Sequence, residues 1–577
     1  MSDNIIGIDL GTTNSEVAIV QDGKVQIIAV EGDRLLPSVV GLTSDGTLLV
    51  GQVARNQHAL YPERTVRSIK RRMGDGQKVA MGDKHYTPQE ISALILRRLK
   101  RAAEEHLGEA VSKAVITVPA YFSDAQRQAT RDAGELADLE VVRIINEPTA
   151  AALAYEAGHG EDKTLLVYDL GGGTFDVSVV RLSQEVTEVL ASHGNNHLGG
   201  DDFDTCIVES LVAQLISQHG TDPSHDRAAM ARLGRAAETA KIALSDAPYA
   251  RIEEEYLLER DGHPVHLSVE LDRHDYEAMI TPFIDETLEA LHIALDGANL
   301  TVADVDEVLL VGGATRTPAI QQRLEEVLGI APRSDVDPDL CVASGAAIQA
   351  AVIAGHPVTA SVLVDITPYT FGTSALSDRF GEPYPYTFIP LIRKNTPIPV
   401  TKSETFYTVM DGQTTIDVQV YQGEDPDALN NTEIGSFRIE GLSDVPAGNV
   451  IITTFSLDLN GILQVSSKEK STGLEKRITI DNATARFEQE ELSDARQRLS
   501  SFIEGEAVPA QSAHRGATQA QALIEKAERL MEDATPEDKE DLVDNIESVR
   551  DALESDDANA LTLATDELAD LIFYLES

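Results

Sequence analysis

Residues Ile5-Ile6-Gly7-Ile8-Asp9-Leu10, then Gly11-Thr12-Thr13-Asn14-Ser15, then Glu16-Val17-Ala18-Ile19-Val20 read as strand, turn, strand. The same pattern returns at Leu165-Leu166-Val167-Tyr168-Asp169-Leu170, Gly171-Gly172-Gly173-Thr174, Phe175-Asp176-Val177-Ser178-Val179-Val180. Asp-Leu-Gly followed by a Thr-bearing turn thus occurs twice, a domain-length apart. The repetition predicts a duplicated α/β unit, two related lobes facing each other across a cleft.

The composition of the turns suggests their chemistry. Glycine removes the Cβ that keeps a backbone away from a ligand, so a Gly-rich hairpin tip can aim several N–H groups at a phosphate, and threonines add hydroxyl donors. Asp9 and Asp169 end their strands at the mouth of the cleft, where carboxylates can hold hydrated Mg²⁺ against phosphates. A lone Gly-rich turn is usually only a turn, but two copies with aspartate at the same offset point to ATP. The P-loop pattern GxxxxGK[ST] is missing from the sequence. A dinucleotide fold fails too, because these glycines join two strands where it requires strand and helix. Farther on, Val308-Leu309-Leu310-Val311 runs into Gly312-Gly313-Ala314-Thr315-Arg316, a strand opening onto glycines that could admit a nucleoside.

The 577 residues are too many for one core and predict three or four folding units. A net charge of −49 repels phosphate backbones and anionic lipid, arguing against nucleic-acid or membrane partners. With no apolar run of bilayer length and no basic-then-apolar leader, a cytoplasmic protein is expected. Cys206 and Cys341 read as small buried residues, and the histidines show no metal-ligand spacing. After Gly355-His356-Pro357 a short apolar segment, Val362-Leu363-Val364-Asp365, leads into strand-like text. Alternation at Ile416, Val418 and Val420 and the turn at Asn460-Gly461 predict an antiparallel β-sandwich. From about Phe487 the text is helical, with Thr535 as an N-cap, Pro536 at the first helical position and Leu542, Ile546, Val549 and Leu553 on one face. This stretch carries 24 acidic and 7 basic side chains, most simply a solvated helical surface. The expected boundaries are 1–355 for the two-lobed unit, 356–366 for a linker, 367–486 for the sandwich and 487–577 for a short helical appendage.

Together IIGIDLGTTNS, VPAYFSDAQRQATRDAG, INEPTAAALAY, DLGGGTFDVSV, HLGGDDFD and VGGATRTP resemble the DnaK-type heat-shock chaperone family, and IRKNTPIPV, VYQGE and DLNGIL extend the likeness through the sandwich. The resemblance covers roughly residues 4–490. It implies an actin-like ATPase domain using ATP/ADP and Mg²⁺, with K⁺ as a further cation. Gly11, Thr12, Thr13 and Asn14 with Gly171, Gly172 and Gly173 would hold phosphates, and Asp9, Asp169 and Asp176 would organise the metal, mainly through water. Lys70 would approach the γ-phosphate, Glu147 would orient the attacking water, and Thr174 would sit at the γ-phosphate. Glu238, Lys241 and Ser245, at helical spacing, would contact adenosine, with Gly312, Gly313, Arg316 and Asp339 completing that pocket.

By the same resemblance, Phe406, Val409, Ile416 and Val418 would line a groove for extended hydrophobic peptides, with Leu376 in an arch above it and the final helices closing over it. Read from the residues alone, these period-two positions would fill the sandwich core. Pro119 and Arg127 would relay the nucleotide state, and Arg143, Asn146 and Asp365 would dock a J-domain co-chaperone. The apolar linker Val362, Leu363 and Val364 would be buried in one domain arrangement and exposed in another; alone it would read as an edge strand. The chain is about two dozen residues shorter than the enterobacterial DnaK pattern between Met73 and Tyr86, which puts a GrpE-type exchange factor in doubt. An insertion between Ser377 and Thr387, a short helical end and a terminus Tyr574-Leu575-Glu576-Ser577 without EEVD resemble the bacterial, specialised HscC-type branch. The competing classes are a small-molecule kinase and a filament-forming actin-like protein, neither of which accounts for a sandwich and lid.

Overall fold

In the computed structural model the described residues are 4–156, 162–183, 186–260, 263–333, 337–358, 361–379, 381–480, 489–503 and 536–554, with positions between 520–531 and 561–572. Thr535, Phe487 and the terminus from Tyr574 lie outside them.

The two hairpins sit in two sheets of matching order. In the first, strands Glu140–Asn146, Lys113–Val118, Ile5–Asp9, Asn14–Gln21 and Lys24–Ile28 lie side by side, with Leu36–Pro37 paired off the path. The second runs Glu307–Val311, Lys163–Leu170, Phe175–Leu182, Val186–Asn195 and then Val362–Ile366 and Pro397–Ile398. Each lobe therefore has a parallel side and an antiparallel hairpin side around an Asp-bearing central strand. These strands read as nearly continuous Ile/Val/Leu because helices cover both faces. Helices Glu147–Glu156 and Cys341–Ala354 cross between the lobes at close range: a Cβ on Gly345 would fall 1.7 Å from the Ala150 carbonyl oxygen. Cys341 is buried there and Cys206 is half-buried.

The linker strand Val362–Ile366 extends the second lobe's sheet, pairing parallel with Val186–Glu188 on one side and with Pro397–Ile398 on the other. An edge strand presents unpaired N–H and C=O groups, and the linker satisfies them. Leu363 packs on the inter-lobe core while Val362 remains exposed, so only part of the apolar linker is covered.

The sandwich stacks Phe371–Arg379, Glu382–Ile392, Thr415–Gln422 and Thr432–Glu440 on Val400–Tyr407, Val450–Leu457, Leu463–Glu469 and Glu475–Ile480. Phe371, Ile392, Val420, Phe455 and Val465 fill the space between. Helix Gln489–Ile503 does not lie over the sandwich, as expected of a lid. Ala495, Leu499 and Phe502 join the first lobe's core, Phe502 reaching the Tyr86 ring at 6.0 Å. Arg498 pairs with buried Glu90 at 2.8 Å, and Arg97 donates to the Leu499 carbonyl at 3.2 Å. The helix carries an apolar stripe, and that stripe is buried in the first lobe's core. Helix Pro536–Glu554 packs through Leu542, Ile546 and Val549 into a separate small helical cluster. Among the described residues no helix is long and apolar enough to cross a membrane.

Candidate functional site

Both hairpin tips open into one cavity of about 320 Å³ between the lobes. Asp9, Gly11, Thr12, Thr13 and Asn14 line it from one side, and Asp169, Gly171, Gly172 and Thr174 from the other. Gly172 lies so close to the opposite tip that a Cβ would meet Thr13 Oγ1 at 1.8 Å. Gly173 and Asp176, expected among the ligand-holding residues, are not in the wall. Gly173 is turned onto Thr12 and Arg71. The Asp176 carboxylate points away and accepts the Ala120 and Tyr121 N–H groups at 2.9 and 3.1 Å.

Lys70 and Glu147 form a buried ion pair at the cavity floor. Burial pulls the Lys70 ammonium down, but Glu147, Asp9 and Asp169 outweigh it and raise its pKa. Burial, against the pull of Lys70, lifts Glu147 to about 7. Asp176 is pushed up to about 8 by burial and then by Glu147, and burial with Glu147 and Asp176 takes Asp169 well above the ordinary range. A fifth carboxyl, Glu16, pairs in register with Asp9 across the hairpin, lines the cavity and is likewise raised by burial and by Asp9. Four of these acids, Asp9, Glu16, Glu147 and Asp169, line the cavity with Lys70, and Asp176 lies behind them, an arrangement that a cation relieves.

The donor set fits Mg²⁺ with a polyphosphate. Asp169 Oδ2 and the Thr12 and Thr13 hydroxyls are buried and have no hydrogen-bond partner among the described residues. Thr117 fixes Asp9 by donating to its Oδ1 at 2.7 Å. Asp9 and Asp169 would hold the metal, largely through its waters, with Asp176 acting behind them through backbone N–H groups. Bound Mg²⁺ supplies neutralisation of phosphate charge.

At the other end of the cavity Glu238, Lys241, Ser245, Gly312, Gly313, Arg316 and Asp339 come together. Helix Arg227–Asp246 carries the first three at steps of three and four, and Asp226 caps it at the Ala229 N–H. Lys241 is held by Asp204 at 2.9 Å and the Gly200 carbonyl at 3.0 Å, and Arg316 by Asp339 at 2.6 Å. Sequence reasoning missed the cross-cleft contacts. Arg55 meets Glu238 at 2.7 Å, Arg71 meets Asp202 at 2.7 Å and Ser68 donates to Asp201 at 2.6 Å. The carriers of these pairs lie more than a hundred residues apart, and no local pattern announces them.

From Asp176, the register partner of Asp169 in the cavity wall, a set of bonds leads to the linker. The turn after Pro119 gives its N–H groups to Asp176. Its Ala120 and Phe122 carbonyls accept from Arg127 at 3.0 and 3.1 Å. Arg127 donates to Asn146 Oδ1 at 2.7 Å, and Asn146 Nδ2 donates to both Asp365 oxygens at 3.0 Å. Tyr369, just past the linker, donates to the Tyr121 carbonyl at 2.6 Å, and its ring meets the Tyr121 ring at a tilt, centroids 4.8 Å apart. Asn460 of the sandwich accepts from the Ile144 N–H at 3.1 Å.

Two expectations need correction. The resemblance puts Asn146 and Asp365 on a docking surface for a partner, but they face each other where the linker strand meets the ATPase unit and are 4% and 6% exposed. Only Arg143 of that trio is half-exposed. In the sandwich, Val418 is buried with the core residues, and Phe406 and Ile416 pack partly against it. Leu376 and Val409 are exposed, as are Tyr407 and Met410. Strand alternation puts residues two apart on one face without saying whether that face meets the other sheet or a groove.

A family model described as Hsp70 protein matches residues 5–79 and 75–576. Hsp70 proteins are ATP-dependent chaperones and ATPases that use ATP/ADP with Mg²⁺ and act on client polypeptides with co-chaperones. With the match spanning nearly the whole chain, this protein belongs to the Hsp70 family.

Proposed function

We propose that this chain binds extended hydrophobic segments of client polypeptides and releases them in a cycle driven by ATP binding and hydrolysis. The observation that carries the reading is the bond path to Asp365 in the linker from Asp176, which pairs in register with Asp169 of the cavity wall. It gives the cavity a physical route to the sandwich, and the linker is the element with two available states: paired in the second lobe's sheet, or released.

In hydrolysis Lys70 offsets charge developing on the transferred phosphoryl group, from a buried site where it acts strongly. Glu147, beside it and lifted to about 7, orients the attacking water, and Thr174 lines the same cavity. Gly11–Asn14 and Gly171–Gly172 position the phosphates, while Glu238, Lys241, Ser245 and Arg316 position the nucleoside.

In the sandwich, Leu376 and Val409 with Tyr407 and Met410 offer the exposed apolar surface that a peptide would cover. A J-domain partner would reach Arg143 directly, and the facing Asn146 and Asp365 only if the linker strand came away from Asn146. The hairpin Val79–Met81 to Lys84–Tyr86 is all that stands between Met73 and the helix Pro88–Leu107, so a GrpE-type exchange factor would lack contact surface there. We assign the chain to a specialised, HscC-like bacterial branch on the strength of that short segment and the Phe371–Ile392 hairpin, and to the cytoplasm as its sequence suggests.

Single-turnover hydrolysis of labelled ATP with Mg²⁺, alone and with an aliphatic-centred peptide plus a J-domain protein, tests the reading. Slow basal turnover that rises with both additions is expected. Turnover indifferent to both would remove the coupling.

A further inference from the structure

Beside the nucleotide-sized cavity, and sharing Thr12, Thr13, Arg55 and Glu238 with it, lies an annex of about 30 Å³ at the rim between the lobes. It has room for about two waters or the exposed oxygens of a small oxyanion. Three guanidinium groups line it: Arg55 and Arg67 from the first lobe and Arg235 from helix Arg227–Asp246 of the second. Glu238 is the carboxylate in the wall, taken by Arg55 at 2.7 Å and met by Arg67 only at 3.7 Å. Arg235 reaches Glu254 only at 4.0 Å. His58 faces the same space, and burial with the Arg67 charge holds its imidazole down to about 4, against Glu238, so it is neutral and adds a polar group without charge. In a protein with a net charge of −49, this wall carries a local surplus of positive charge.

We propose that the annex is a subsite for a tetrahedral phosphate-type oxyanion, gripped by Arg67 of one lobe and Arg235 of the other. Guanidinium groups suit this because their planar N–H forks match phosphate oxygens. A group held from both lobes ties the cleft shut and slows escape of whatever the main cavity holds. The phosphate has two sources: free inorganic phosphate, or a phosphoryl group on the ribose of a bound nucleotide, the latter resting on the nucleotide reading above.

The test uses the full chain. Inorganic phosphate is titrated calorimetrically without nucleotide, release of a fluorescent ADP is timed with and without phosphate, and adenosine 3′,5′-bisphosphate is compared with 5′-AMP. Each is repeated for Arg67→Leu/Arg235→Leu and for Arg67→Lys/Arg235→Lys, with ADP affinity reporting that each variant is folded. Phosphate should slow ADP release by at least about threefold in the natural protein, the lysine pair should keep part of this, and the leucine pair should lose it. Tighter binding of the bisphosphate than of AMP, lost in the leucine pair, identifies the ribose source. Equal binding of the two, with phosphate still effective, identifies free phosphate. Phosphate and bisphosphate effects that are absent, or that persist in the leucine pair, overturn the proposal. Failure of ADP to bind the natural protein would instead strike the nucleotide reading, and the direct phosphate titration would still decide on the annex.

Discussion

Replacing Asp365 with asparagine tests the bond path at its narrowest point. The carboxylate accepts two bonds from Asn146 Nδ2 at 3.0 Å, one from Thr149 at 3.3 Å and one from the Ile366 N–H at 2.8 Å. Its charge also faces Arg127 and Arg143, since burial lowers both guanidinium pKa values while Asp365 acts to raise them. Asparagine has the same shape but offers one acceptor oxygen and turns an NH₂ toward the Asn146 NH₂. Loss of one charge-assisted bond, plus a donor facing a donor, costs about 2–4 kcal/mol in the paired state. With the linker released, residue 365 is solvated and loses little, so the cost falls on docking itself. The docked-to-released ratio should drop by roughly 30- to 1,000-fold. Hydrogen exchange at the amides of residues 362–366 in the presence of ATP reads this directly, because those amides belong to the strand paired with Val186–Glu188. Unchanged protection in Asp365→Asn, with the thermal stability of the lobes intact, would refute the reasoning.

Lys70→Ala removes the buried partner of Glu147 and should leave nucleotide bound while lowering single-turnover hydrolysis by at least about a hundredfold, read by phosphate release at saturating ATP. Val409→Asp adds a charge to an exposed apolar position and should abolish peptide binding by fluorescence anisotropy while sparing basal ATPase. Leu499→Asp places a charge in the first lobe's core cluster and should free helix Gln489–Ile503 from Tyr86 and Glu90, seen as faster exchange of that helix with the sandwich undisturbed. His58 is held near 4, below its unfolded value of about 6.5, so the unfolded chain binds the extra proton between these values and stability falls with pH across that window. Denaturant unfolding of the natural protein should therefore lose about 2 kcal/mol more than His58→Asn between pH 7.5 and pH 5.

The two lobes were legible because Asp-Leu-Gly and its Thr turn recur, and a hairpin is a local object whose residues are neighbours in sequence. The nucleoside end was legible in the same way, Glu238, Lys241 and Ser245 falling at helical spacing. What escaped is non-local. Arg55 and Glu238 are 183 residues apart, and Asn146 and Asp365 are 219 apart. The resemblance gave the last two as a docking surface, whereas they are buried against each other where the linker strand docks. Helix Gln489–Ile503 carries a plain amphipathic stripe, which announces that it packs but not on which of two apolar surfaces. Val418 shows the same limit for strands, since period two separates faces without naming their partners.

The measurement that bears most directly on the central claim is the release rate of a fluorescent aliphatic peptide from the intact chain, in saturating ATP and in saturating ADP. Coupling through the linker predicts release faster in ATP by about five- to 150-fold, with Asp365→Asn closing most of that gap. Equal release rates in the two nucleotides would show that cavity and sandwich do not communicate, and would contradict the account.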